Sequence, residues 1–360
     1  MDVTKVKKPP RSHRWSIVQG LSVLLPLLMG IALTPPLCGE QATKDPINRY
    51  EAKQEHMGTL FRIVVYATDA TARKAIPQAF QRIAEIDQKL SNYKKESELS
   101  QLSSKIGKRV SVSDDLWSVL KLSRTVHQQS NGSFDVALGP ITKVWLQARR
   151  TKILPAPDVV AKALHCSGTN LLEFNDVDKT VQLTRAGMAL DPGGVAKGWA
   201  VQQAIDVLRD HGILSALVDG GGDMFMMGRP QGRESWRIAV APLRPGGKPT
   251  TIVGLVDCAI ATSGDAWQYL EVDGRRYSHI VDPKTGMGVT IPCSVTVISK
   301  DGGTADAWAS AISVLGPKAG LKTLARRKNL EALVVYVDEQ GDVQQETSAG
   351  FHVYQVAEKK

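Results

Sequence analysis

Between Leu190 and Val201 the chain reads Leu-Asp-Pro-Gly-Gly-Val-Ala-Lys-Gly-Trp-Ala-Val, and this stretch restricts the possible folds more than any other. Gly193, Gly194, Lys197 and Gly198 follow a short apolar run and open a segment in which Val201, Ala204, Ile205 and Leu208 recur at three- and four-residue steps. That period predicts an amphipathic helix, closed by Gly212. A glycine-rich turn feeding a helix N-terminus presents unpaired N–H groups and the positive end of the helix dipole, which suits a phosphate. The same glycines also serve as ordinary turn residues. The spacing matches neither the P-loop nor the dinucleotide fingerprint, so the surrounding chain must decide.

At 360 residues the chain can bury a substantial core. Its 42% hydrophobic and 22% charged residues are ordinary for a globular protein and exclude a disordered chain or a multi-span membrane protein. The net charge of +9 is concentrated at Lys5, Lys7, Lys8, Arg11 and Arg14, with a second cluster at Arg326, Arg327 and Lys328 that reads as a solvated helix end. Neither cluster is interleaved with aromatics, so no nucleic-acid partner is expected. The first cluster precedes an apolar run from Ile17 to Leu33, broken only by Gln19, Ser22, Pro26 and glycines. A basic segment followed by an apolar one is an export signal, and Pro26 makes the run marginal as a permanent membrane span. Residues 1–42 are therefore read as a targeting segment with an exposed lead-in, and residues 43–360 as one folded domain in the periplasm. An uncleaved signal would anchor that domain to the inner membrane. Lipid at Cys38 is the weaker anchor, because Pro36-Leu37 departs from the small residues that precede a lipidated cysteine.

Cys166, Cys258 and Cys293 remain after processing, an odd number at spacings that suit no metal. Cys258 and Cys293 stand in apolar, strand-like contexts and read as buried thiols, although export leaves a bridge between them open.

Along the chain, residues 43–56 read as a polar lead-in and Met57-Gly58-Thr59 as the start of a strand through Tyr66. A helix follows over 70–90, with Ile76, Phe80, Ile83 and Leu90 on one stripe; Pro77 would be tolerated only in its first turn. Residues 91–100 form a polar loop carrying Tyr93, and a helix over 116–129 is capped by Ser113 or Asp114. Arg149 to Asp178 reads as a connector. Short strands then follow the glycine-rich loop and its helix, a second helix covers 305–315, and strands at 333–337, 343–345 and 351–356 finish the sheet. Helices and strands mix without strict alternation, which predicts an α+β fold with mixed, partly antiparallel sheets and packed helices.

Asp306 and Ser310 stand four apart on the later helix, where a carboxylate and a hydroxyl on one face can grip a hard cation such as Mg2+. They also fit a plain helix start, with Asp306 complementing the dipole and Ser310 facing solvent. His279, just before Asp282-Pro283, can act as a general base beside a phosphate, or be an ordinary strand histidine. Lys197 and the amides of Gly193, Gly194 and Gly198 can hold a pyrophosphate. Met57, Tyr93 and Phe134 are candidates to sandwich a flat ring, although each taken singly reads as plain packing.

In order, the motifs are Met-Gly-Thr, Ser-x-Tyr, Gly-Ser-Phe-Asp, Asp-x-Gly-Gly-x-Ala-Lys-Gly, Gly-Gly-Asp, Ala-Thr-Ser-Gly, His-Ile-x-Asp-Pro-x-Thr-Gly and Ala-Asp-Ala. From Met57 to Leu315 this series resembles the ApbE family of FAD:protein FMN transferases. The Ala-Lys-Gly and His-Ile-x-Asp-Pro-x-Thr-Gly segments are the specific ones. The resemblance implies an ApbE-like fold that binds FAD with its isoalloxazine near Met57 and Tyr93. Ser133, Phe134, Asp135, His279 and Ile280 would also contact the cofactor. Gly193, Lys197 and Trp199, where the family usually has Tyr, would cradle the diphosphate. The Ala196 carbonyl would join Asp306 and Ser310 around Mg2+, with His279 as base and Asp306 as the other catalytic residue.

The implied reaction moves FMN from FAD to a Thr or Ser hydroxyl of an exported or membrane acceptor protein, such as a membrane electron-transfer subunit, and releases AMP. Two rival readings share these residues: an FAD pyrophosphatase that makes FMN and AMP with water, and a non-catalytic flavin carrier. The chain departs from the family at Ser310 (commonly Thr), Ala137 (commonly Thr), Pro192 (usually aliphatic) and Ala266-Trp267. These changes affect pocket shape but keep the metal- and phosphate-binding groups.

Overall fold

The computed structural model describes residues 4–5, 45–243, 246–247, 249, 251–264 and 268–357. The apolar run of the expected targeting segment, Cys38, Ala266 and Trp267 lie outside them. Among the described residues no helix is long and apolar enough to cross a membrane. The frame is a nine-stranded sheet in which neighbours follow chain order. Its strands are β1 (Thr4–Lys5), β2 (Asn48–His56), β3 (Thr59–Ala67), β4 (Ala216–Gly220), β5 (Asp223–Met227), β6 (Cys258–Gly264), β7 (Cys293–Ser299), β8 (Leu330–Val337) and β9 (Val343–Thr347). Every pairing in it is antiparallel.

Among the described residues eight α-helices enter this meander at two places. Between β3 and β4 lie α1 (Asp69–Leu90), α2 (Glu98–Ser103), α3 (Asp114–Gln129), α4 (Gly139–Thr151), α5 (Pro157–His165) and α6 (Ala196–Asp210). Between β7 and β8 lie α7 (Gly302–Leu315) and α8 (Pro317–Leu324). Alternate residues of a strand face opposite sides of a sheet, and here both sides are covered. Ile63, Val65, Val218, Val295 and Val297 join α1, α6 and α7 in the main core. Their neighbours Val64, Leu217 and Ile298 pack on the other side against Trp236, Val253, Leu255 and Phe351. Two insertions lying on one face bring α6 and α7 side by side, and that placement positions the site. A third core joins α4 and α5 to a hairpin (Tyr269–Val272 with Arg275–Ser278) through Trp145, Ile141, Leu270 and Tyr277.

The α+β class holds, and the main sheet is wholly antiparallel. Residues 48–56 are a strand and not a lead-in: only Tyr50 and Ala52 of β2 are buried, so its sequence looks polar. The first helix starts at Asp69, capped by the Thr68 side chain, which puts Pro77 in its interior. Interior proline costs about 3 kcal/mol. Burying Ile76, Phe80, Ile83, Ile86 and Leu90 offsets that, at roughly 1.5–3 kcal/mol for each large side chain. The connector over 149–178 contains α5, opened by Pro157 in its first turn, and the loop over 91–100 runs into α2. Phe351–Tyr354 is a 3-10 turn whose Phe351 plugs the second core, not a closing strand. Cys258 and Cys293 sit at opposite ends of the β6–β7 pair, since Ala259 faces Ser299 and Gly264 faces Ser294. Six residues of strand hold them about 20 Å apart, far beyond disulfide reach.

Candidate active site

The two inserted helices meet at glycines. A Cβ on Gly198 would lie 2.1 Å from the Gly302 carbonyl oxygen and 2.8 Å from the Asp306 Cβ, so only glycine permits this crossing. The approach brings Asp306, which is 4% exposed, to the first turn of α6, where its Oδ2 accepts from the Gly198 N–H at 3.1 Å. Lys197 Nζ lies 3.9 Å from the same oxygen and forms its close ion pair with Asp223. Asp223 opens β5 after the Gly221-Gly222 turn and is buried. Ser310 stands one turn beyond Asp306 on α7. A Cβ on Gly194 would sit 2.7 Å from the Ser310 hydroxyl and 3.3 Å from the Phe134 ring, so the glycine loop, α7 and the Phe134 segment converge. Ala196, buried, is the first residue of α6 and adjoins this junction.

Two carboxylates here share one ammonium. Burial pushes Asp306 up to about 7, and repulsion from Asp223 adds to it, against the pull of Lys197 and the Gly198 N–H. Burial disfavours the Lys197 ammonium, but Asp223 and Asp306 outweigh it and raise its pKa. The cluster is an anionic, desolvated pocket with hard oxygen donors.

Of the three amides read as a phosphate cradle, two are engaged within the chain. Gly193 N–H donates to Asp191 Oδ1 at 3.0 Å and Gly198 N–H to Asp306. Asp191 Oδ1 also accepts from Asn92 at 3.0 Å, which ties the loop to the segment bearing Tyr93, itself 81% exposed. Met57 stands at the β2–β3 turn with φ +49°. Beneath it lies a hollow of about 520 Å³ bounded by residues 55–60 and Asp87. Asp87 is paired with Lys94, the residue after Tyr93, so the Met57 and Tyr93 segments adjoin.

Ser133, Phe134 and Asp135 are all buried. The Asp135 carboxylate is spent inside the protein: it accepts from Ala137 N–H at 2.8 Å and from Thr169 N–H and Oγ1 at 2.9 and 2.7 Å, and it pairs with His127 at 3.2 Å. Burial opposes the Asp135 anion, but His127 and these donors hold its pKa below the usual range, and the partnership raises that of His127. This carboxylate fixes the loop that carries Phe134. Trp199 lies on α6 with its indole Nε1 buried and without an acceptor among the described residues.

His279 follows the short hairpin, and its N–H and ring Nδ1 both meet the Gln268 carbonyl, at 3.0 and 3.1 Å. A carbonyl only accepts, so Nδ1 carries the ring proton and Nε2 keeps its lone pair. Burial pushes His279 down to about 4, Arg149 and Lys197 push the same way, and the Gln268 carbonyl resists. Arg149 and Lys197 thus both act electrostatically on the His279 ring. Ile280 is held by Ser278 Oγ. The following Asp282 organises its own turn, accepting from Lys284 N–H at 2.9 Å and Thr285 Oγ1 at 3.2 Å. Trp145 of α4 anchors that turn through Gly286 O at 2.7 Å.

Asp223, His127 and Arg149 are site residues that sequence reasoning passed over. The Gly-Gly-Asp motif was a signal for Asp223; Arg149 had none, lying in a stretch read as connector.

The ApbE family model matches residues 57–334. The FAD:protein FMN transferase of Treponema pallidum is 31% identical over 337 residues, covering 89% of this chain and 91% of that protein. The flavin transferase ApbE from Vibrio cholerae superposes with a TM-score of 0.78 at 26% identity, over 86% of this chain and 100% of the other. The ApbE protein from Thermotoga maritima gives 0.76 at 28% identity, with the same coverage.

Proposed function

The chain belongs to the ApbE family, and on that premise we propose that it is an FAD:protein FMN transferase. The observation that carries the reading is the Lys197–Asp223–Asp306 cluster at the α6–α7 crossing, with Ser310 beside it and a neutral His279 within the electrostatic reach of Lys197. Its charge suits Mg2+, because two buried carboxylates against one ammonium leave negative charge uncompensated. Among the described residues no group of three or more His, Cys, Asp or Glu could hold a metal. Mg2+ takes few protein oxygens and completes its shell with water and diphosphate oxygens. Asp306, Ser310 and the Ala196 carbonyl would hold Mg2+, which when bound neutralises diphosphate charge and polarises its oxygens.

The chain's own groups do the rest. Lys197 supplies fixed positive charge to the diphosphate, and Gly194 and Trp199 flank it. Met57, Tyr93 and Phe134 bound the space for the flavin ring. An acceptor Thr or Ser hydroxyl oxygen bonds to the FMN phosphorus and its proton passes to His279 Nε2. The bond to the AMP oxygen breaks, and its electron pair leaves with AMP. Placement and charge stabilisation account for most of such a step. The acceptor is an exported or membrane protein, such as an electron-transfer subunit, and the enzyme works in the periplasm, released from or held by its N-terminal segment.

Incubation with FAD, Mg2+ and an acceptor should give AMP and gel-stable flavin fluorescence on the acceptor in equal amounts. AMP with free FMN alone would point to hydrolysis instead, and flavin bound without AMP to a carrier.

The His279 role predicts a pH profile. The base must be unprotonated, and in the free protein it is so above about pH 4. The acid limb of kcat/KM should therefore lie well below the ordinary histidine value of about 6.5. The acid limb of kcat should lie higher, because a bound diphosphate adds negative charge beside the imidazole and favours its protonation. A kcat/KM limb at or above the ordinary value would remove His279 from the role.

A further inference from the structure

Arg149 lies in the last turn of α4, beside Arg150. Cations there commonly complement the helix dipole from solvent, and exposed Arg150 fits that description. Arg149 does not. It is half-buried, its Nη1 donates to the Gln268 side-chain oxygen at 2.9 Å, and no carboxylate pairs with it among the described residues. Gln268 is the same residue whose backbone carbonyl fixes the His279 ring, at 3.1 Å from Nδ1. One residue thus holds both the imidazole and a guanidinium, and the packing of Trp145 on the Asp282–Gly286 turn keeps α4 against that segment. Holding an unpaired guanidinium partly out of water is costly unless an anion completes it.

The geometry points to Arg149 as a second cation, besides Lys197, at the transferring FMN phosphoryl group, and so as a catalytic residue; this rests on the transferase reading. As the acceptor oxygen bonds to phosphorus and the bond to AMP breaks, charge spreads over the phosphoryl oxygens, where a guanidinium fork fits two of them. Its electrostatic reach agrees: Arg149 and Lys197 are the two cations acting on His279, and Tyr93 acts on Arg149.

The test compares wild type, Arg149→Gln and Arg149→Lys. At saturating FAD and acceptor, Arg149→Gln should slow single-turnover transfer by about a hundredfold or more, with the acceptor KM unchanged. Arg149→Lys should recover part of the rate, since the charge stays and the fork is lost. In ligand-free protein, the His279 ring followed by NMR should titrate at higher pH in Arg149→Gln, with only Lys197 left facing it, and near wild type in Arg149→Lys. A raised acceptor KM with full rate at saturation would assign Arg149 to acceptor docking and overturn the proposal, as would an unmoved His279 titration. Wild type that released AMP without flavinylating the acceptor would fail the transferase reading instead; the drop in AMP release and the NMR shift would still decide the role of Arg149.

Discussion

Asp306→Asn is expected to lose flavin transfer by about a thousandfold or more, while the metal-free protein melts at or above the wild-type temperature. The carboxamide oxygen can still accept from Gly198 N–H, now 3.1 Å from Asp306 Oδ2, so the α6–α7 crossing keeps its hydrogen bond. What disappears is the second carboxylate in a buried pocket already holding Asp223 against one ammonium. Lys197 and Asp223 then form a balanced pair. The sign with pH follows from the raised pKa. A carboxyl that titrates higher folded than unfolded costs nothing below the unfolded value, about 3.9, and costs most above the folded value, about 7. The stability advantage of Asp306→Asn should therefore grow from about pH 4 to 7 and then level off. Thermal melts in chelator across that range, beside AMP release with Mg2+, measure both. A variant several degrees less stable would refute the charge argument, and one that transfers normally would refute the metal role.

The opposite signs of those two effects show why a site of this kind is only half legible in a sequence. Asp306 and Ser310 were readable because four-residue spacing places them on one helix face, and Lys197 because it stands in a glycine-rich helix start. Their meeting depends on two insertions lying on one face of a sheet whose strands run in chain order, and local periodicity carries no information about that. Strands such as β3 and β7 announce themselves because β-branched and aromatic residues dominate them and both faces of the sheet are covered there. β2 hides because just Tyr50 and Ala52 of its nine residues turn inward, and α5 hides behind the prolines on either side of its start. The same limit applies to the groups passed over. Asp223 reaches Lys197 across 26 positions, and Arg149 reaches Gln268 across 119. Asp135 shows the reverse: the Phe-Asp motif was readable, yet the carboxylate serves the loop from inside, through His127 and Thr169.

Gly198→Ala should be strongly disruptive for the addition of a single methyl group. Its φ is ordinary, so the cost is not backbone strain at the site itself. The new Cβ would have to occupy a point 2.1 Å from the Gly302 carbonyl oxygen and 2.7 Å from its carbon. Neither is the end of a flexible side chain that could swing away; both belong to the backbone of α7. The reciprocal contact, 2.2 Å from a Gly302 Cβ to the Gly198 carbonyl oxygen, shows that the helices touch main chain to main chain. Relief requires separating α6 from α7, and that opens the junction of the main core around Val195, Ala305 and Ala309. Overpacking a core commonly costs 1–3 kcal/mol, and with two rigid backbones in conflict about 3 kcal/mol or more is expected, read as a fall of several degrees in Tm. The same separation withdraws Asp306 from the Gly198 N–H and from Lys197, so Mg2+ affinity should fall with stability, measurable by titration at a temperature where the variant is still folded. Gly212→Ala is the control: that glycine also lies on the α6 side, with φ +75° and open space around it. It should show only the cost of about 1 kcal/mol for a left-handed backbone and leave Mg2+ binding alone. If Gly198→Ala binds Mg2+ and melts like the parent, the close crossing of α6 and α7 is not what builds the site.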